Sequence, residues 1–428
     1  MNTATAPTSL SSPNTRTLTR CLACNSARLF FFASLGEQPL ANSYRKIGSE
    51  ESLAKYPLTL SMCLDCFHMQ QSVSVDRSLL FDEYPYVSGT SSSLGAYFAS
   101  FASSVCKRLP ALGRKARVLE IASNDGTLLA EFKKLGAEVQ GVEPAANLKP
   151  LWEKAGIPTV QGYWGPLVVS KLTEKLTEKY DIIVAMNVLG HVADPYSFLL
   201  MCKSVLAPGG RIYVQTSQAL MLERGEFDTC YHEHLSFFTV SSFLALARQA
   251  GLRVKSIEHV DVHGTSYLVE LSYEKNATDF QNPAHFSVGR DEQRKGYYSL
   301  PLHFDFALRI RQTSVALRSL VDKYNRDGFL LAAYGAAAKG MVLLGAAGLR
   351  PAFIVDDNPL KIGRLCSVDA PVVGAREVAG LTGDDKFVWL ILPWNMRPEI
   401  MARLKELRGT RFAGDVCVCA FPEVGVVS

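Results

Sequence analysis

Three groups of residues in this sequence have the types and spacing to do chemistry. Cys21-Leu-Ala-Cys24 and Cys63-Leu-Asp-Cys66 are two Cys-x-x-Cys pairs separated by 38 residues. Two such pairs can offer four thiolates to one tetrahedral ion, the donor set zinc prefers. Four sulfurs leave no open position, so that ion would be structural. A redox dithiol is the rival reading, and two copies without a thioredoxin-like context weigh against it. Tyr231-His-Glu-His234, close behind Asp228, crowds four ionisable side chains into one short run. Asn187-Val-Leu-Gly-His191 brings a further imidazole directly after an apolar strand. Histidine titrates near about 6.5, which suits a base acting around neutrality. His232 and His234 could instead hold a metal with Glu233 behind them, or the run could be a solvated loop. His68, His259 and His263 stand alone and read as structural.

The third group is a turn. Val118-Leu-Glu-Ile-Ala-Ser-Asn-Asp-Gly126 joins a strand to a helix through small and polar residues, which lets a ligand approach the backbone. The next strand ends in Gly141-Val-Glu143-Pro144, placing a carboxylate where ribose hydroxyls would lie. A Gly-x-Gly-x-x-Gly motif is missing, which disfavours a dinucleotide because its pyrophosphate needs close glycine approach. Adenosine with a methionine tail carries no phosphate and escapes that requirement.

These groups need elements to hold them. The chain has 428 residues, enough for about three domains. Its 45 basic and 41 acidic residues leave a formal charge of +4, a weak field for a nucleic-acid binder. Hydrophobic residues make up 48% and charged residues 20%, which excludes a disordered or collagen-like chain. Residues 1–20 are Ser- and Thr-rich without an acid and read as a disordered tail, with a transit peptide as the alternative. Residues 21–108 form a unit around the cysteine pairs. Apolar strands then alternate with helices over 109–273 (Arg117–Ala122, Val139–Glu143, Tyr180–Met186, Arg211–Gln215), the pattern of a parallel doubly wound sheet. Residues 274–325 turn polar and then helical, with Phe306, Ile310, Leu317, Leu320, Val321 and Tyr324 at helical spacing. Residues 326–428 return to α/β alternation. Gly328–Leu349 is apolar but interrupted by Lys339, and reads as strand, glycine turn and helix rather than a membrane span.

In order along the chain, Leu119 to Gly126, Gly141-Val-Glu-Pro144 and Ala207-Pro-Gly-Gly210 look like the motifs of class I SAM (S-adenosylmethionine)-dependent methyltransferases. With the four cysteines, Pro39-Leu-Ala-Asn42, Tyr84-Pro-Tyr-Val-Ser88, Tyr231-His-Glu-His234 and Tyr334-Gly-Ala-Ala-Ala-Lys339, the chain resembles the zinc-containing sugar C-methyltransferases. Those enzymes build branched deoxysugars on nucleotide carriers. The resemblance implies zinc at Cys21, Cys24, Cys63 and Cys66. It implies SAM against Glu120, Ala122, Ser123, Asn124, Gly126, Glu143 and Pro144. Ala122 departs from the family, which usually has glycine there. His234 is implied as the base, with Tyr231, Glu233, His191, Tyr86 and Asn187 around it, while His232 has no implied role. Tyr84, Ser88 and Lys339 are the expected substrate contacts. Lys339 could offer its ammonium to a carrier phosphate or be an ordinary solvated lysine.

The expected architecture is therefore α/β: a zinc-binding subdomain, a class I SAM-methyltransferase Rossmann-like domain and a C-terminal degenerate Rossmann-like domain that helps build the substrate cleft. The expected activity deprotonates a carbon next to a ketone in a nucleotide-linked keto-deoxysugar and methylates the enolate. Methyl transfer to oxygen or nitrogen of a small metabolite is the alternative enzyme, and a non-catalytic zinc/Rossmann binding protein the alternative class. No signal-peptide hydrophobic region and no membrane span are read, so a reducing, cytoplasmic setting without nucleic-acid or membrane partners is expected.

Overall fold

The computed structural model describes residues 14–84, 86–90, 92–174, 178–217, 219–274, 279–381 and 385–427. Residues 1–13 of the expected tail, Pro85, and 275–278 of the expected polar boundary lie outside them.

The central sheet is built from runs that are apolar on both faces, which fits strands covered by helices on either side. Tyr180–Met186 is buried along its whole length. From one edge to the other the strands are Arg253–Val260, Ser266–Ser272, Leu206–Thr216, Tyr180–Met186, Arg117–Ile121, Glu138–Glu143 and Thr159–Gln161. Five adjacent strands pair in parallel, and Ser266–Ser272 pairs antiparallel with both its neighbours, so it alone of the seven points the other way. The expected parallel sheet is thus mixed: a hairpin returns along the open edge. A hairpin needs only a short turn, whereas a parallel strand needs a crossover. The carboxyl ends of the five parallel strands face one crevice, where ligands bind in such folds.

A smaller antiparallel sheet carries the cysteine pairs, in the order Ser236–Phe237, Met69–Gln71, Lys55–Cys63, Leu29–Pro39. Its outermost strand belongs to the segment that follows His234. Thr15–Thr17, read from sequence as tail, is a strand paired with Val73–Val75, because backbone ladder bonds need no particular side chain.

Leu300–Arg326 is one long helix that buries Phe306, Ile310, Leu317 and Val321 of its stripe, while Leu320 and Tyr324 at the stripe's edge are half-buried. The C-terminal sheet orders its strands Val372–Val373, Ile354–Val355, Leu330–Tyr334, Phe387–Ile391, Val416–Cys419 and Gly425–Val427, with only the last antiparallel. Cys417 and Cys419 are buried in it. Among the described residues no helix is long and apolar enough to cross a membrane.

Candidate active site

The Sγ atoms of Cys21, Cys24, Cys63 and Cys66 lie within 4.8 Å of one another. Cys21 and Cys66 are 3.5 Å apart through their sulfurs, as are Cys24 and Cys63. Thiolates about 2.3 Å from one tetrahedral ion would be separated by about 3.8 Å, so the cage fits zinc. The two pairs sit in matching knuckles. The Asn25 amide donates to the Cys21 carbonyl and the Phe67 amide to the Cys63 carbonyl. Asn25 and Phe67 both take positive φ, 60° and 59°, to make those turns.

The strand Arg117–Ile121 runs into a left-handed turn in which Ala122, Asn124 and Gly126 have φ of 58°, 51° and 83°. Positive φ at Ala122 explains why glycine suits this position, and alanine tolerates it at a modest cost. The Glu143 carboxylate accepts the Asn124 amide at 2.8 Å and the Ala145 amide at 2.9 Å, locking two strand ends together. Gly141 leaves room for the turn: a Cβ there would fall 2.5 Å from Ser123 Oγ.

This turn opens on a cavity of about 820 Å³. Glu120, Ala122, Ser123, Asn124, Glu143 and Pro144 line it from the cofactor side. Tyr84, Tyr86, Ser88, Asn187, His191, Tyr231, His234 and Lys339 line it too. Gly126 and Glu233, grouped with these by sequence, do not. Gly126 shapes the turn against Ile157. Glu233 turns away to accept Asn42 Nδ2 at 2.6 Å and the Tyr84 hydroxyl at 3.5 Å, so it reaches the cavity only through Tyr84. Four buried polar atoms of lining residues have no hydrogen-bond partner among the described residues: Glu120 Oε2, Ser123 Oγ, Asn187 Oδ1 and His191 Nδ1. Buried polar groups are seldom left so, and a ligand rich in ammonium, hydroxyl and carboxylate groups would satisfy them. SAM is such a ligand.

A strap from the zinc-bearing unit roofs the cofactor turn. Asn124 Oδ1 accepts the Ser88 amide at 2.9 Å, and Asn124 Nδ2 donates to the Tyr86 carbonyl at 3.1 Å. Beyond it, His234 donates from Nδ1 to the Thr229 carbonyl at 2.7 Å. A carbonyl can only accept, so Nδ1 carries the proton and the basic lone pair belongs to Nε2. The Tyr231 ring lies 4.0 Å from the imidazole and His191 4.9 Å away. Burial, reinforced by His191, holds the His234 pKa well below its usual value. Burial also lowers His191 to about 4, raises Tyr231 well above its usual range and raises Glu233 to about 7. His232 points out of the site and donates from Nε2 to the Tyr56 carbonyl at 3.1 Å, a structural role rather than a metal-binding one.

Sequence reasoning missed His263, Tyr163, Trp164, Arg77 and Arg16, all of which line the cavity. His263, read as structural, sits at φ 54° on the hairpin tip with its ring 6.3 Å from Tyr86. Its neighbour Gly264 was the available signal, since His-Gly after a strand marks a turn that can present a side chain. Arg16 was hidden in the supposed tail.

Three family models fall on the three units. A zinc binding domain matches residues 21–81, a methyltransferase domain 96–257, and a C-methyltransferase C-terminal domain 261–421. The chain belongs to the zinc-containing C-methyltransferases. The C-methyltransferase NovU of Streptomyces niveus is 28% identical over 427 residues, spanning 96% of this chain and 98% of NovU. A ubiquinone biosynthesis O-methyltransferase of Bordetella avium is 25% identical over 173 residues, 36% of this chain and 70% of that protein. Among solved structures, the glycopeptide N-methyltransferase MtfA complexed with SAM covers 41% of this chain and 94% of its own, at 16% identity and a TM-score of 0.32. As a zinc-containing C-methyltransferase, the chain uses SAM and holds structural zinc in its four-cysteine cage.

Proposed function

We propose that this C-methyltransferase acts on the carbon next to a ketone in a nucleotide-linked keto-deoxysugar. The supporting observation is the hydrogen bond from His234 Nδ1 to the Thr229 carbonyl, which leaves Nε2 as the basic nitrogen of a residue lining the cofactor cavity. Carbon methylation requires a carbanion equivalent. A ketone acidifies its neighbouring C–H, and His234 Nε2 takes that proton. The Thr229 carbonyl then stabilises the imidazolium through Nδ1–H. Bound SAM supplies an electrophilic methyl group on its sulfonium. Tyr231, kept neutral by burial, donates its hydroxyl to the developing enolate oxygen. Asn187, His191 and Tyr86 hold the sugar ring, with Glu233 fixing Tyr84. Lys339, on the C-terminal side of the cavity, faces the carrier phosphates.

The test uses zinc-loaded protein with a keto-sugar nucleotide in D₂O. Without SAM, deuterium should enter at the carbon next to the ketone, and with SAM the product should carry a carbon-linked methyl by NMR. An O-linked or N-linked methyl with no exchange would replace this reading with the alternative transfer.

A further inference from the structure

Two rings of the C-terminal unit grip the turn that sets His234. Trp394, just after the strand Phe387–Ile391, donates its indole Nε1–H to Asp228 Oδ2 at 3.0 Å. Asp228 is 1% exposed and lies in the turn Phe227–Thr229. Thr229, the next residue, supplies the carbonyl that accepts His234 Nδ1–H. Phe421 packs against both Phe227 at 5.6 Å and Trp394 at 5.9 Å, so the same rings hold the turn from two sides. The indole is the side chain that hydrogen-bonds this carboxylate, which also feels the Lys339 charge and the backbone amide of Thr229. Lys339, 5.7 Å from the Trp394 ring centre, comes from the same unit.

Which nitrogen of a neutral imidazole carries the proton is set by the bond the other makes. A Thr229 carbonyl free to drift would let the proton move to Nε2 and remove the basic lone pair from that nitrogen. We infer that Trp394 is a positioning residue that, through Asp228 and Thr229, fixes the tautomer of His234. The inference rests on the reading of His234 as the base.

Trp394→Phe keeps a ring against Phe421 and removes only the donor. In zinc-loaded full chain with ¹⁵N-labelled histidine, NMR should show His234 shifting from the Nδ1–H toward the Nε2–H form. Deuterium exchange into the keto-sugar should fall by about 10- to 100-fold, the usual effect of a small misplacement. SAM affinity and substrate KM should stay unchanged. Asp228→Asn, which keeps an oxygen to accept the indole, should retain the native tautomer, and Asp228→Ala should lose it. These Asp228 variants carry the test if Trp394→Phe fails to fold. An unchanged tautomer in Trp394→Phe, or an Asn variant that behaves like the Ala variant, overturns the inference. Failure of the base reading looks different: His234→Asn would then exchange normally.

Discussion

In both Rossmann-like units an acid at the end of one strand accepts an amide from the turn of its neighbour. Glu143 takes the Asn124 amide at 2.8 Å, and Asp356 takes the Ala336 amide at 2.7 Å. Past that point the two units diverge. The first turn faces the large cavity, held off by the strap at Ser88. The second is filled by the protein itself. Lys361 Nζ and the Tyr44 hydroxyl both donate to the Ala336 carbonyl, at 2.9 and 2.6 Å. Pro393 closes over Gly335, whose Cβ, if it had one, would lie 2.3 Å from Pro393 Cγ. Topology therefore delivers the turn in each unit, and side chains from elsewhere decide whether a ligand can use it. Tyr44 and the strap both come from the zinc-bearing unit, so one small domain seals one turn and roofs the other.

The largest expected effect removes that domain's hold on both turns. Cys63→Ser should lose zinc, whose binding in small domains is worth about 10–16 kcal/mol, and unfold the unit. Metal analysis with thermal melting measures this, and retained zinc with an unchanged melt would break the comparison at its root. Next is His234→Asn, which should cut deuterium exchange and turnover by about 10²–10⁴-fold while leaving SAM affinity intact. Lys361→Ala, in the filled turn, should leave both rates near wild type. The paired acids sharpen the contrast further. Glu143→Ala should weaken SAM binding by about 1.5–3 kcal/mol by calorimetry. Asp356→Ala should leave SAM affinity unchanged and lower stability by about 1–3 kcal/mol in chemical denaturation, because the Ala336 amide loses its acceptor.

The smallest expected effect is on pH. A base must be neutral, and burial with His191 nearby pushes the His234 pKa down. Exchange should therefore persist below pH of about 6.5, the ordinary histidine value, and fall only in more acid solution. His191→Asn removes one of the groups that disfavours the imidazolium, so the acid limb should move to higher pH. A limb that stays in place would show that His191 plays no part and that burial, with the charges of Lys339 and His263, sets it.

The zinc ligands were legible because each pair is local: two residues between sulfurs and one knuckle turn. Glu143 was legible as a strand-end acid beside a small-residue turn, but that pattern alone does not mark a ligand site, since Asp356 repeats it at a turn the protein fills. The hairpin edge of the central sheet was not, since apolar alternation does not say which way a strand runs. Glu233 sits between two lining residues in sequence, yet Asn42, 191 positions away, draws its carboxylate out of the cavity. The Trp394–Asp228 bond spans 166 positions, and no local pattern in either residue announces it. Arg16 was lost because Ser- and Thr-rich composition describes a tail and an edge strand equally well.

The strand Ser236–Phe237, which completes the sheet of the zinc-bearing unit, bears on modularity. Its Phe237 pairs with Met69, and the Gln71 amide donates to the Leu235 carbonyl at 3.0 Å, so the base-bearing segment is stitched to a neighbouring domain by main-chain bonds. A recombination point between residues 81 and 96, natural as it looks in the linear order of the three units, would cut a sheet rather than a linker. Chimeras that exchange the zinc-bearing unit must therefore carry Tyr231–Phe237 with it. Exchanges of the C-terminal unit can be made beyond residue 326 only if the Trp394 and Phe421 grip is retained.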